Sequence, residues 1–345
     1  MGCCNGSKSA EQKQKEDHSK DIEKDLLKSK AIDALNLKLL VLGSGESGKS
    51  TVLKQIKLIN KMQPTQREIK DVAMGLRKNA HQCILILIDQ ASVFGFDVSN
   101  KELSEEIQNA EVEDVEDDEL HVFAEKLEAL WHEEAIQRTF SRQSEYWILE
   151  SVEYYMEHVN RFYESDFVPT EEDIVMARVM TTGIITTSIP LPPLTFSVVD
   201  VGGQRNERKK WIHSFDNVNG ILFLVNLSGY DSVLFEDATQ NRLEECYTLF
   251  QQTVNNPIFA EIPFYIFFNK KDLFESKIKS KSVKSSPVFS DYEGSDDAIE
   301  TIAYLEEKFK VVKIDVELCA SGIALESDFI LDCGTVQEGC ENDVG

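Results

Sequence analysis

The chain has 345 residues, enough for two domains, and its 42% hydrophobic and 28% charged residues are typical of globular protein. The formal net charge of −25 argues against nucleic acid as a partner, because neutralising phosphates requires basic surfaces. No apolar run approaches the roughly 20 residues that a membrane-spanning helix needs. The seven cysteines are odd in number and scattered, which favours a reducing compartment.

The first residues, Met1-Gly2-Cys3-Cys4, predict a lipid anchor. Gly2 is a candidate for myristoylation after removal of Met1, and Cys3 and Cys4 are candidates for palmitoylation. The myristoylation pattern asks for Ser or Thr at position 6, where this chain has Gly6, so an unmodified tail stays open as the alternative. Two acyl chains would hold the protein on a membrane, whereas one would not.

The region 1–37 is interpreted as an N-terminal, lipid-anchored helix. Residues 7–37 carry many charges of both signs, and Ile22, Leu26 and Leu27 form a narrow apolar stripe. Such a stripe suits a partner surface, but the composition fits a solvated helix without a partner equally well.

The run from Gly43 to Thr51 fits the phosphate-binding loop G-x-x-x-x-G-K-S and lies between a strand-like and a helical stretch. Glycines let the backbone N–H groups turn inward, so the loop and the following helix N-terminus form an anion cradle. Lys49 would place a charge beside the β- and γ-phosphates, and Ser50 would offer its hydroxyl to Mg²⁺. A glycine turn that merely precedes Lys-Ser is disfavoured, because the flanking residues also fit.

The segment 61–173 is predicted to be an inserted all-helical domain, because apolar residues recur there at helical spacing without any strand pattern. The residues of the three predicted apolar faces are Ala80, Cys83, Ile84 and Leu87; Val122, Phe123, Leu127, Leu130 and Trp131; and Tyr154, Tyr155, Val159 and Phe162. The acidic run 111–119 is interpreted as a solvated loop. Cys83 and Cys246 are interpreted as packing residues.

From Ile174 onward the pattern predicts strands again, at 196–199, 220–226 and 264–268, with a helix at 241–255. This alternation predicts a doubly wound α/β domain made of residues 38–60 and 174–345. Ligands of such sheets bind at the carboxyl ends of the strands, so the phosphate loop, Asp200 and Asn269 should meet in one crevice.

Two further motifs predict the nucleotide. The sequence Asp200-Val201-Gly202-Gly203 resembles the motif of ATPases and GTPases whose acid holds Mg²⁺ through water. Residues 269–272, Asn-Lys-Lys-Asp, fit N-K-x-D, whose carboxylate accepts two N–H bonds from guanine. Adenine lacks the matching donors, and a site with unpaired polar groups rejects it, which disfavours a P-loop ATPase or kinase.

From Gly2 to about Ser321 the chain resembles the α subunit of heterotrimeric G proteins, and the helical insertion distinguishes it from small Ras-like GTPases. The matching stretches are 43–51, 178–183, 200–205, 209–213 and 269–272. Cys319-Ala320-Ser321 resembles the last guanine motif of the family, with Ser in place of the usual Thr, and a backbone N–H near Ala320 would meet the base.

The resemblance implies a GTPase with a Ras-like domain, Mg²⁺ as cofactor and GTP or GDP as bound nucleotide. Arg178 would stabilise charge on the transferring phosphoryl group, Gln204 would orient the attacking water, and Glu46 would pair with Arg178 when GTP is absent. Ser50 and Thr181 would ligate Mg²⁺, with Asp200 acting through water. The implied nucleotide-binding residues are Gly43, Ser44, Gly45, Glu46, Ser47, Gly48, Lys49, Ser50, Thr51, Ser151, Val175, Met176, Ala177, Arg178, Val179, Met180, Thr181, Asp200, Val201, Gly202, Gly203, Gln204, Asn269, Lys270, Lys271, Asp272 and Ala320.

The resemblance also implies partners and a location. The segments 178–187 and 203–215 would be switches that the γ-phosphate and Mg²⁺ order. A βγ dimer would bind the N-terminal helix together with Lys209, Lys210 and Trp211. A G protein-coupled receptor, an effector and the cytoplasmic face of the plasma membrane complete the expected context.

Two stretches depart from the family. Residues 189–193, Ile-Pro-Leu-Pro-Pro, are unusual for its second strand and hairpin, although edges and turns tolerate proline. Residues 324–331 give at most two or three helical turns, and an acidic tail with two glycines follows at 335–345. The family has a long amphipathic helix here, which enters the receptor. The second hypothesis is therefore a GTP-binding scaffold that has lost receptor input.

Overall fold

The computed structural model describes residues 35–312 and 316–319. The predictions on the N-terminal helix and its acylation sites Gly2, Cys3 and Cys4, on Ala320, and on the C-terminal tail lie outside the described residues. Among the helices of the described part, none is both long and apolar enough to cross a bilayer.

The described strands form one six-stranded sheet in the order β2-β3-β1-β4-β5-β6. Their bounds are β1 Asn36–Leu42, β2 Ile184–Leu191, β3 Leu194–Val201, β4 Gly220–Asn226, β5 Phe264–Asn269 and β6 Val316–Cys319. Only the β2–β3 pair among them is antiparallel. β1 lies between β3 and β4, and such a reversal of strand order creates a crevice at the carboxyl ends.

Apolar residues on both faces of this sheet explain its burial. All seven residues of β4 are buried, as its continuous apolar run predicts. The helices Arg242–Val254 and Ala298–Lys310 cover one face, and the helix Lys49–Ile59 covers the other. The sheet therefore holds the residues at its carboxyl edge on a rigid, packed base.

The helical insertion has a hydrophobic core of its own. Its helices are Gln66–Val93, Lys101–Asn109, Leu120–Trp131, Glu134–Phe140, Val152–Glu157, Val159–Phe162 and Glu171–Met176. The longest helix begins at a capping box, in which Thr65 and Glu68 satisfy each other's backbone N–H groups. Its side chains Cys83, Ile84 and Leu87 are completely buried, as their spacing predicts.

The structure corrects several local predictions. β1 begins at Asn36, inside the region interpreted as N-terminal helix. Val122 is 47% exposed, because it lies beside and not on the buried face of its helix. The acidic run contains a short 3-10 turn with Val112 buried, so it is not entirely a solvated loop. The helix Glu171–Met176 continues past Ile174, and the next strand begins only at Ile184.

The proline-rich hairpin leaves the sheet intact. Among the described strands β2 lies at one edge of the sheet; it pairs with β3 along its length and includes Pro190. An edge strand tolerates proline because one of its sides has no neighbouring strand to bond.

Candidate functional site

A cavity of about 450 Å³ lies between the carboxyl edge of the sheet and the helical insertion. The predicted site residues that line it are Gly45, Glu46, Gly48, Lys49, Ser50, Thr51, Ser151, Val175, Met176, Ala177, Arg178, Val179, Met180, Thr181, Gly203, Gln204, Asn269, Lys270 and Asp272. The predicted residues that do not line the cavity wall are Gly43, Ser44, Ser47, Asp200, Val201, Gly202 and Lys271. Five separate stretches of the sequence thus share one cavity, at 45–51, 151, 175–181, 203–204 and 269–272.

The phosphate loop joins β1 to the helix Lys49–Ile59 and requires glycine at Gly48. The φ angle of Gly48 is +94°, and an added Cβ would collide with Asn269 Nδ2. Asn269 in turn donates to the Ser47 carbonyl at 3.0 Å. The first residue of N-K-x-D therefore supports the loop as well as lining the cavity.

Lys49 supplies a buried positive charge at the base of the cavity. Its Nζ donates to the carbonyls of Gly43 at 3.0 Å and Ser44 at 2.8 Å. Burial lowers the pKa of Lys49 to about 8, although the nearby Asp200 carboxylate acts in the opposite direction. A cation held by neutral carbonyls suits an anionic ligand, which would relieve the cost of its burial.

Three oxygen-bearing side chains converge beside Lys49. Ser50 Oγ lies 2.7 Å from Asp200 Oδ2 and 2.6 Å from Thr181 Oγ1, and Thr181 Oγ1 donates to the same carboxylate oxygen at 3.2 Å. Asp200 is 1% exposed, and its Oδ1 has no hydrogen-bond partner among the described residues. An unpaired buried carboxylate oxygen is costly, and hard oxygen donors suit Mg²⁺, so the residues present fit that ion.

The linker that carries Arg178 is fixed by its backbone. Asn79 of the helical insertion accepts from Arg178 N at 2.8 Å and donates to Arg178 O at 3.1 Å. Lys54 Nζ donates to the Ala177 carbonyl at 2.6 Å, and burial lowers the pKa of Lys54 to about 8. Both sides of the cleft therefore position Arg178.

The guanidinium of Arg178 pairs with Glu46, as expected from the sequence. Arg178 Nη2 lies 2.6 Å from Glu46 Oε1, which also accepts from Trp147 Nε1 at 2.9 Å. The other oxygen, Oε2, lies 3.0 Å from Arg242 Nη1. Glu46 thus joins the phosphate loop to the linker, to the helical insertion and to the helix that follows β4.

A second ionic group spans the cleft and shares Arg242 with Glu46. The carboxylate of Glu150, in the helical insertion, pairs with Lys270 and lies 3.2 Å from Arg242 Nη1. Burial opposes ionisation of Glu150, but the two cations outweigh it and lower its pKa to about 2. Lys270 also donates to the Glu46 carbonyl at 2.9 Å. The N-K-x-D motif is thereby bound to the insertion and to the phosphate loop.

The segments expected to act as switches are linked to each other. Glu207 accepts from Gly183 N at 2.7 Å and pairs with Lys210 at 2.8 Å. A Cβ on Gly203 would collide with Lys49 Nζ, so glycine is needed for this close approach. The partner surface needs a correction: Trp211 is only 5% exposed, because it packs into the core and donates to the Gly202 carbonyl.

Sequence reasoning missed several residues of the cavity wall. They are Lys54, Leu149, Glu150, Glu153, Tyr154, Tyr155, Leu234, Phe235, Glu236 and Leu273. Most belong to no motif, and their spacing is that of ordinary helices and loops. Among the residues predicted for the site, only Ser151 lies next to Glu150 in the sequence.

Fold and site together define a P-loop guanine nucleotide-binding domain with a helical insertion. Comparison with protein families gives the more particular result: the family described as "G-protein alpha subunit" matches residues 16–318, so the chain belongs to that family.

Curated relatives agree. The chain is 42% identical to the guanine nucleotide-binding protein alpha-8 subunit of Dictyostelium discoideum over 313 residues, which cover 90% of this chain and 76% of that protein. It is 38% identical to the G(o) subunit alpha of Locusta migratoria and to that of Caenorhabditis elegans, each over 90% of this chain and 87% of the relative.

Family membership carries the general function. G-protein alpha subunits are GTPases that bind guanine nucleotides and transduce signals, and the chain has this role. The family works with βγ subunits, receptors and effectors, and its members associate peripherally with membranes.

Proposed function

We propose that this chain hydrolyses GTP in the cavity described above, with Arg178 and Gln204 as its catalytic residues and Mg²⁺ as its cofactor. The observation that carries the proposal is the convergence, around one cavity, of Lys49, the Ser50–Thr181–Asp200 oxygens and Arg178. Each group matches a different need of phosphoryl transfer, so chance assembly is a poor explanation.

Each residue has a role in binding or hydrolysis that follows from its position in the cavity. Lys49 and the loop N–H groups hold the β- and γ-phosphates, and Gln204, on the cavity wall, orients the attacking water. Arg178 leaves Glu46 and turns toward the phosphates, where its charge offsets that of the transition state. Ser50 and Thr181 would hold Mg²⁺ directly and Asp200 through water; the ion, when bound, neutralises charge on the phosphate oxygens.

Base selection belongs to the N-K-x-D motif. Asp272 and Lys270 line the cavity, and Asn269 braces the phosphate loop. An ionised carboxylate only accepts hydrogen bonds, so Asp272 selects a purine that offers two N–H donors on one edge. Guanine offers two such donors and adenine does not.

The proposed partners are those of the family. Lys209 and Lys210 are exposed and belong to the proposed βγ surface, together with the N-terminal helix. Trp211 could join only after leaving its buried position. The proposed location is the cytoplasmic face of the plasma membrane, with anchoring through Gly2, Cys3 and Cys4, input from a G protein-coupled receptor and output to an effector.

The test is uptake of the slowly hydrolysed analogue GTPγS by the purified protein, with and without a βγ dimer. We expect stoichiometric uptake that requires Mg²⁺, is slowed by βγ and is not competed by excess ATP. Equal competition by ATP would contradict the base assignment. Normal uptake without any response to a panel of receptors would favour the scaffold hypothesis, which the altered C-terminus with its acidic tail at 335–345 motivates.

A further inference from the structure

Two aromatic rings meet across the mouth of the cleft, one from each of its sides. Trp147 of the helical insertion and Phe235 of the sheet side have ring centroids 4.4 Å apart, with planes tilted by 58°. Phe235 is 46% exposed and lines the cavity, so an ordinary role in a hydrophobic core does not explain it. Such tilted contacts stabilise a pair beyond the area they bury.

The two rings project from anchored segments. On the insertion side, Tyr146, Ile148 and Leu149 flank Trp147 and are each at most 9% exposed. Because both neighbours of Trp147 are buried, its backbone cannot shift freely.

On the sheet side, the loop that carries Phe235 is braced at its base. Arg242 donates to the Val233 carbonyl at 2.7 Å, and Leu234 N donates to the Gln240 carbonyl at 3.0 Å. The contact therefore joins two anchored segments.

Trp147 also contacts the arginine proposed to be catalytic. The guanidinium carbon of Arg178 lies 5.0 Å from the centroid of the indole, within the range of a cation–π interaction. The indole N–H donates to the same Glu46 oxygen that Arg178 occupies. When Arg178 turns toward the phosphates, the Trp147 N–H remains to satisfy that oxygen.

We propose that Trp147 and Phe235 form an aromatic clasp that slows nucleotide release, and that Trp147 is a positioning residue for Arg178. The first part depends only on the contact across the cleft. The second part rests on the catalytic role proposed for Arg178. The nucleotide class concerned is a guanosine diphosphate held behind the closed cleft.

The test compares GDP release and single-turnover GTP hydrolysis in Trp147→Ala, Phe235→Ala, the double variant and Trp147→Phe. Loss of the clasp should speed GDP release about three- to tenfold, the range that an aromatic pair supports. The double variant should release GDP no faster than the faster single variant, because both remove the same contact. Trp147→Phe should restore most of the slow release, because it keeps an aromatic ring.

The rate of GTP hydrolysis tests the positioning of Arg178 separately from the clasp. Trp147→Ala should slow single-turnover hydrolysis about two- to fivefold, because Glu46 then loses the donor that remains when Arg178 turns away, and Phe235→Ala should slow it less. The matched control is Phe140→Ala, which breaks a ring contact with Trp131 of 5.1 Å inside the insertion and should change neither rate. Rates are normalised to the GTPγS-binding fraction, so unfolded protein does not count.

Parental GDP release in both Trp147→Ala and Phe235→Ala would overturn the clasp. Additive effects in the double variant would overturn it as well, since independent local damage adds. Arg178→Cys is run in parallel: if it hydrolyses GTP at the parental rate, the proposed role of Arg178 fails, and the clasp is judged on GDP release alone.

Discussion

The two sides of the cleft contribute different kinds of interaction. The sheet side presents groups fixed by backbone geometry, such as Lys49 on loop carbonyls and Asp200 at the end of a buried strand. The insertion side presents partly exposed side chains, chiefly Trp147 and Glu150, whose partners lie on the sheet side.

This difference assigns separate tasks. Chemistry needs groups held to fractions of an ångström, and a packed sheet edge supplies them. Opening and closing needs contacts that break together at modest cost, and a few ion pairs and one aromatic pair across a cleft supply those. Mutations of the groups fixed at the sheet edge should therefore change mainly catalysis and base choice, and mutations of the contacts that cross the cleft should change mainly the timing of release.

The largest expected effect tests the catalytic pair, Gln204 on the cavity wall and Arg178 on the linker. Gln204→Leu and Arg178→Cys should each bind GTP normally and slow its hydrolysis on the order of 10³-fold, a magnitude established for this class of enzyme in general. Single-turnover assays measure it. A rate within about threefold of the parent would remove that residue from the mechanism, and Gln143→Leu, on an exposed turn, is the control.

The next effect tests the sheet side alone. Asp272→Asn should weaken GTP binding on the order of 10²-fold and strengthen the binding of xanthosine triphosphate, because an amide N–H replaces one acceptor. Competition against labelled GTPγS gives both affinities. The exposed Asp166→Asn should behave like the parent, and unchanged GTP affinity in Asp272→Asn would show that another group reads the base.

The pH dependence of binding tests the buried lysine. The pKa of Lys49 is lowered from 10.5 to about 8, so the nucleotide-free protein loses this proton between pH 7 and 9. Bound phosphate keeps the lysine protonated, so binding takes up a proton at high pH. Affinity should therefore fall about tenfold from pH 7 to pH 9.

Two variants identify which lysine causes this fall of affinity with pH, called the slope below. Lys49→Met should bind more weakly with a flat profile over the same range. Lys54→Met tests the second lysine whose pKa is about 8 and should keep the parental slope. A slope that persists in Lys49→Met, or is missing in the parent, would contradict the assignment.

The smallest effect concerns the ionic brace on the insertion side. Glu150→Gln should speed GDP release about three- to tenfold, since it leaves Lys270 and Arg242 without their shared carboxylate. These charges are only partly exposed, so 1 M salt should reduce the difference from the parent without abolishing it. The effect of Phe235→Ala should persist there, which distinguishes the ionic from the aromatic contact. If Glu150→Gln and the parent release GDP at the same rate at low salt, the ion pairs of Glu150 do not slow release.

Much of the fold was predictable because its signals are local. The buried strands β4 and β5 follow from continuous apolar runs, and the long helix follows from apolar residues at helical spacing. The helix Glu171–Met176 was not predicted, because its few residues carry no clear periodicity and its capping box depends on Asp173. Trp211 was misplaced because no sequence pattern separates a tryptophan on a surface from one packed beneath a turn.

The sequence by itself determined the nucleotide and the fold class, since G-x-x-x-x-G-K-S, Asp200 and N-K-x-D each encode their chemistry at fixed spacing. The tertiary structure alone decided how the cleft is closed. Trp147 and Phe235 are 88 residues apart, and Glu150 and Lys270 are 120 apart. No local propensity links such positions; they meet because two separately packed cores lie against each other across the cavity.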